Sequence, residues 1–135
     1  MHRRDFAKSA FIGAALAAAA PAVAKAAGDG APDENVLFSA ADPGHWGSDM
    51  AALHVPQTTL AGGVLTIRTP HPQSQAHYIV SHSVVLADGV FLDRKTFAYT
   101  DEPVSQHTLP AGYSGAVTVT STCNLHDIWT KTIAA

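Results

Sequence analysis

Cysteine is almost missing from this sequence: Cys123 is its only one. A lone thiol excludes any disulfide within the chain. Positive charge is scarce too. Beyond residue 26, Arg68, Arg94, Lys95 and Lys131 stand alone against ten acidic residues, a formal balance of −6 with histidines neutral. With no basic stripe, nucleic acid and anionic membrane surfaces are poor partners. There is no internal repeat and no glycine-rich phosphate loop, and no spacing of serine, histidine and aspartate suggests a nucleophile elbow. Past the N-terminal leader no segment has convincing helical periodicity. The apolar run from Ala10 to Ala24 is short for a membrane span and is interrupted by Gly13 and Pro21.

That run follows Met1-His2-Arg3-Arg4-Asp5-Phe6-Ala7-Lys8, whose paired arginines and Phe6 read as a twin-arginine export signal. Cleavage near Ala24 to Ala27 would leave a periplasmic chain. Twin-arginine export carries folded proteins, so a metal site could be filled before export. Residues 1–26 are then signal, 27–45 a flexible leader rich in Gly, Ala, Pro and Asp, and 46–135 a single domain.

Within that domain the pattern is β. Val64 to Thr69 alternates after Gly62-Gly63, and Pro70 and Pro72 stop it. His77 to Ala87 is a second run, closed by a turn at Asp88-Gly89. Val90 to Tyr99 is a third, with Phe91, Phe97 and Tyr99 on one parity. Ser105 to Leu109 is weaker, and the last strand ends at Cys123. Short strands separated by turn signals predict an all-β fold, a small antiparallel β-sandwich. In the final strand Val117, Val119, Ser121 and Cys123 share a face, so the thiol follows the valines into the core.

A thiolate at a strand end with His126 three residues on is half of a metal site. Candidates for the other half lie upstream, in His54-Val55-Pro56 and in His71-Pro72-Gln73-Ser74-Gln75-Ala76-His77. In an exported protein an exposed free thiol is a liability, which favours a metal-bound Cys123. His45, His82 and His107 belong to no such pattern and read as surface or hydrogen-bonded residues. With an HVP, then HPxxxxH, then Cys123-Asn124-Leu125-His126-Asp127-Ile128-Trp129, in that order between about Trp46 and Lys131, the chain resembles superoxide reductases of the neelaredoxin and desulfoferrodoxin type.

The resemblance implies an immunoglobulin-like sandwich carrying one mononuclear iron, Fe2+/Fe3+. His54, His71, His77 and His126 would be its equatorial ligands, and Cys123 the axial sulfur opposite an open face. It implies one-electron reduction of superoxide to hydrogen peroxide, with Cys123 and His126 at the catalytic centre. Asn124 and Trp129 would support the site from behind, Asn124 by hydrogen bonding near the sulfur and Trp129 by packing. One departure stands out: the glutamate and lysine that precede the HVP in most of the family are replaced by Ala52 and Leu53. Two other functions are compatible with the same residues. One is a non-catalytic electron carrier or small-ligand sensor, and the other is a zinc or copper module. Cytoplasmic members of the family take electrons from rubredoxin, whereas an exported chain would need another donor, such as a periplasmic cytochrome. Whether it forms a homo-oligomer is left open.

Overall fold

Val, Ile and Thr alternate with smaller or polar residues through much of the chain, and such a two-residue period buries one face only when segments pair as sheets. The computed structural model describes residues 37–135. The expected export signal and most of the leader lie outside the described residues. Strands run over Leu37–Phe38 (β1), Gln57–Ala61 (β2), Val64–Arg68 (β3), Ile79–Leu86 (β4), Phe91–Thr96 (β5), Val104–Thr108 (β6), Ala116–Cys123 (β7) and Ile128–Ala134 (β8). Among the described residues the one α-helix, α1, covers Gly47–His54. The strands form two sheets, ordered β1-β8-β7-β4-β5 and β2-β3-β6. Every pairing is antiparallel except the two-residue parallel contact of β1 with β8. This is the expected β-sandwich.

Between the sheets lie Leu65 and Ile67 of β3, Val84 of β4, Val117 and Val119 of β7, and Leu109. The inward row of β7 is as the alternation requires, with Val117, Val119, Ser121 and Cys123 all buried. A second cluster, Phe38, Ala51 and Trp129, seats α1 against β1 and β8. A Cβ on Gly44, which has φ +52°, would come within 2.6 Å of the Phe38 ring. Glycine therefore lets the chain turn tightly over Phe38 on its way into α1.

Several expectations need correction. Within the leader expected over 27–45, Val36 to Ser39 also reads as a short strand or turn, and there Leu37–Phe38 pairs with Ile128–Trp129 and Phe38 is buried at 1% exposure. Helix α1 gave no periodic signal because its two turns bury only Ala51 and His54. Strand β2 is almost wholly exposed, so no alternation marks it. Strand β8 carries no clean alternation because Lys131 interrupts the row Trp129, Lys131, Ile133. The shared parity of Phe91, Phe97 and Tyr99 does not bury them together. Only Phe97 is buried, because β5 is an edge strand whose register with β4 shifts between Val84 and Val85. The Arg94 guanidinium covers the exposed Phe91 ring at 5.6 Å.

The interior is not apolar throughout. His82 and His107 are fully buried and hydrogen-bonded to Ser105, Thr69 and Asp93. Among the described residues no buried side-chain nitrogen or oxygen lacks a partner. The His107 N–H and the Arg94 backbone N–H hold the Asp93 carboxyl below its usual range. Burial, and then the neighbouring His107, push the His82 ring down to about 4. Its folded value lies below its unfolded one. The neutral ring's contribution is therefore complete above about pH 6.5 and is lost as pH falls toward 4, about 3 kcal/mol in all. The stability gap between the wild-type chain and His82→Gln should shrink by about 2 kcal/mol between pH 7.5 and 5, measured by denaturant unfolding. A gap independent of pH would show that His82 does not carry this proton.

Candidate metal centre

Proline sets the first candidate ligand. Val55 precedes Pro56 and is extended (φ −66°, ψ 126°), so α1 must end at His54. The ring turns back along the helix and its Nδ1–H donates to the Met50 carbonyl at 2.8 Å, which aims the bare Nε2 away from the helix. His71 sits between Pro70 and Pro72, its backbone N–H bonded to the Thr69 carbonyl (2.8 Å). His77 closes a tight turn in which its backbone and that of Ser74 exchange hydrogen bonds of 2.9 and 3.1 Å. Cys123 ends β7 opposite Ile79, beside an irregularity in the β4–β7 register. His126 lies in the connection to β8, where Asp127 adopts φ +64° and its carbonyl accepts the Cys123 N–H (2.9 Å).

Helix α1, the loop after β3 and the β7–β8 connection thus deliver five side chains to one point. One donor atom from each of His54, His71, His77, Cys123 and His126 lies within 4.8 Å of all the others. Going round, His71 Nε2 and His77 Nε2 are 3.1 Å apart, His77 Nε2 and His126 Nδ1 3.0 Å, and His126 Nδ1 and His54 Nε2 3.1 Å. The His54 and His77 rings face each other across this ring of nitrogens, 6.1 Å between centroids. Cys123 Sγ stands 3.7 Å from His126 Nδ1.

These contacts are not an ordinary hydrogen-bond network. His126 Nδ1 faces two nitrogens and a sulfur, yet one ring nitrogen donates at most one proton. Converging lone pairs repel unless a cation lies among them. A square with an edge of 3.1 Å has a half-diagonal (3.1/√2) of about 2.2 Å, close to a metal–imidazole bond. The donor set therefore fits a single transition metal, and imidazoles with one soft thiolate suit iron.

Electrostatics agree with that fit. Burial, with the other histidines adding to it, lowers the His54 ring to about 4. Burial and neighbouring rings also lower His71 and His126. Neutral imidazole is the form that binds metal. Burial raises the Cys123 thiol, so without a cation it keeps its proton, and a metal must displace it.

The two tryptophans of the chain both brace His126. Trp129 stacks on His54 (5.5 Å, 28°) and its Nε1–H donates to the His126 carbonyl at 2.8 Å, so it does more than the packing expected of it. Trp46 meets the His126 ring edge-on at 4.7 Å and donates to Asp127 Oδ2 at 3.0 Å. Sequence reasoning missed Trp46, because no spacing links it to His126. Asn124 does more than the long contact with the sulfur expected of it. Its Oδ1 is 4.0 Å from the sulfur, and it spends its amide on the Tyr78 N–H and the Ala76 carbonyl, pinning the His77 turn. Ala52 and Leu53 are both exposed, and neither brings charge to the site. Replacing Cys123 by serine should abolish any thiolate-to-metal charge-transfer band and cut metal retention at least about tenfold, read by metal analysis and visible spectroscopy.

None of the curated proteins matches the sequence. Solved structures do. A variant of superoxide reductase (neelaredoxin) from Ignicoccus hospitalis matches with 24% identity and a TM-score of 0.66, covering 73% of this chain and 91% of its own. A superoxide reductase (1Fe-SOR) from Giardia intestinalis matches at 24% and 0.54, covering 61% and 97%. A reduced-form variant of the Archaeoglobus fulgidus superoxide reductase (neelaredoxin) matches at 25% and 0.53, covering 62% and 88%. The family model described as Desulfoferrodoxin spans residues 52–132, a domain that holds mononuclear iron and encloses all five converging side chains. With well over half its length inside that model, this chain belongs to the desulfoferrodoxin family.

Proposed function

We propose that this protein is a superoxide reductase, and that His54, His71, His77, His126 and Cys123 hold its iron. The observation that carries the reading is the convergence of four imidazole nitrogens and one sulfur within 4.8 Å, on a chain of this family. Iron held there would supply the single electron that, with two protons, converts superoxide to hydrogen peroxide. The chain's own part is preparation. Burial favours the neutral form of the His54, His71 and His126 rings, the Met50 carbonyl fixes the His54 tautomer, and the indole N–H groups fix the His126 connection. Cys123 gives up its proton on binding and offers a soft, electron-rich sulfur.

Charge is where this chain differs from most of its family. Superoxide is an anion, the chain beyond residue 26 carries a formal −6, and Leu53 beside His54 is apolar and 43% exposed. Turnover therefore proceeds without local electrostatic steering, with solvent delivering protons. Electrons come from a donor protein other than rubredoxin, in keeping with a periplasmic location. That location rests on Arg3, Arg4 and Phe6 and the apolar run behind them.

Pulse radiolysis of the iron-loaded chain should show fast bimolecular oxidation of Fe2+ by superoxide with peroxide as product. Reversible redox cycling without peroxide would instead identify an electron carrier. Leu53→Lys should raise that rate several-fold at low ionic strength, the gain fading as salt is added. For location, the chain expressed in a bacterium with twin-arginine transport should appear in the periplasm with its N-terminus near Lys25 or Ala27. Changing Arg3 and Arg4 to lysine should hold it in the cytoplasm, and periplasmic recovery of that variant would refute the route.

A further inference from the structure

Behind the metal-binding side chains, six polar side chains form one continuous hydrogen-bonded chain through the sandwich. It begins at the exposed carboxylate of Asp93, whose Oδ2 is 2.8 Å from His107 Nδ1. His107 Nε2 is 2.9 Å from Ser105 Oγ, which is 2.8 Å from His82 Nδ1. His82 Nε2 is 2.8 Å from Thr69 Oγ1, and Thr69 Oγ1 is 2.8 Å from Ser121 Oγ. With both rings neutral, this chain can be wired in only one direction. The ionised Asp93 needs a donor, so His107 carries its proton on Nδ1 and accepts from Ser105 at Nε2. Ser105 has then spent its only hydrogen, so His82 must donate to it through Nδ1. His82 Nε2 is left as an acceptor for Thr69, and Thr69 as an acceptor for Ser121. A surface carboxylate thus fixes two ring tautomers and three hydroxyl orientations.

The inner end of this chain meets the candidate metal centre from both sheets. Thr69 directly follows β3 and stands two residues before His71, whose backbone N–H bonds the Thr69 carbonyl. Ser121 stands two residues before Cys123 on β7, opposite His82 on one side and Trp129 on the other. One sheet therefore leads to a histidine ligand and the other to the sulfur, and the two are tied together at Thr69, His82 and Ser121. A purely apolar interior would join the sheets without fixing their relative slide. Hydrogen bonds of 2.8 Å fix it, and a metal site tolerates only about 0.5 Å of error. All of Thr69, His82, Ser105, His107 and Ser121 are buried, so the polar groups are not there for solvent. Burying them is costly unless every partner is present, and every partner is.

We infer that Thr69, His82 and Ser121 are positioning residues for the metal centre: they lock the His71 loop of one sheet to the Cys123 end of β7 in the other. The Asp93–His107–Ser105 arm holds His82 in the tautomer that this lock requires. The inference rests on the ligand set proposed above.

Thr69→Val keeps shape and volume but removes the hydroxyl shared by His82 and Ser121, while Thr69→Ser keeps it. The full chain should be tested in competition for zinc against a chromophoric chelator. In parallel, the ferric form should be examined for the position of its thiolate-to-iron band. Thr69→Val should weaken zinc binding about tenfold and displace the band, with Thr69→Ser close to wild type in both. Ser121→Ala, which deletes one hydrogen bond and little volume, should shift both readouts in the same direction by less. Wild-type affinity and band position in Thr69→Val and Ser121→Ala, whatever their loss of thermal stability, would reduce the chain to ordinary core hydrogen bonding and overturn the inference alone. Failure of the wild-type chain itself to take up zinc or iron would overturn the ligand set, and the inference with it.

Discussion

Lone pairs repel, and this fold holds five of them together. Four imidazole nitrogens and one sulfur within 4.8 Å are unfavourable without a cation, so surrounding structure must hold them until one arrives. Each is restrained by something other than its neighbours in the cluster. His54 is fixed by Pro56 and the Met50 carbonyl, His71 by flanking prolines, and His77 by its turn with Ser74 and by Asn124. Cys123 is fixed by the end of β7, and His126 by the Trp129 N–H on its carbonyl and the Trp46 N–H on the adjoining Asp127.

The sandwich divides its labour along its length. At one end Leu65, Ile67, Val84, Val117 and Val119 supply apolar burial, which holds the sheets together but is tolerant of direction. Toward the metal-binding end the inward positions become Ser121, His82 and Thr69, and directional bonds take over. The change of chemistry occurs along the single inward row of β7, from Val117 through Ser121 to Cys123. Stability and precision are thus supplied by different stretches of the same strand.

The region around the HVP shows how a local motif and its context can part ways. The histidine is delivered in a form suited to bind metal, because proline ends the helix wherever it stands. Ala52 and Leu53, the two residues just before His54, are exposed and carry no charge. Metal-binding geometry and local surface charge are therefore separable properties of this segment: the first depends on backbone geometry and burial, the second on two exposed side chains.

Much of this was legible along the chain. Two-residue alternation revealed β3, β6 and β7, because one face of each is buried and the other is not, while β4, buried on both faces, showed as a run of β-type residues. The three short histidine and cysteine motifs carried the family resemblance, and the five side chains that the resemblance implied are the ones that converge. Strands β2 and β8 and helix α1 stayed hidden, because each buries too few residues to leave a period. Tertiary structure alone brought Trp46 to Asp127, 81 residues away, and tied the Asn124 amide to the His77 turn as well as to the sulfur. It also joined Asp93, His107, Ser105, His82, Thr69 and Ser121, which come from both sheets. Ligand types and strand faces are local properties, repeated within a few residues, and so the sequence by itself determined them. Which polar groups complete one another inside a sandwich depends on how the sheets stack, and only the folded chain decides that.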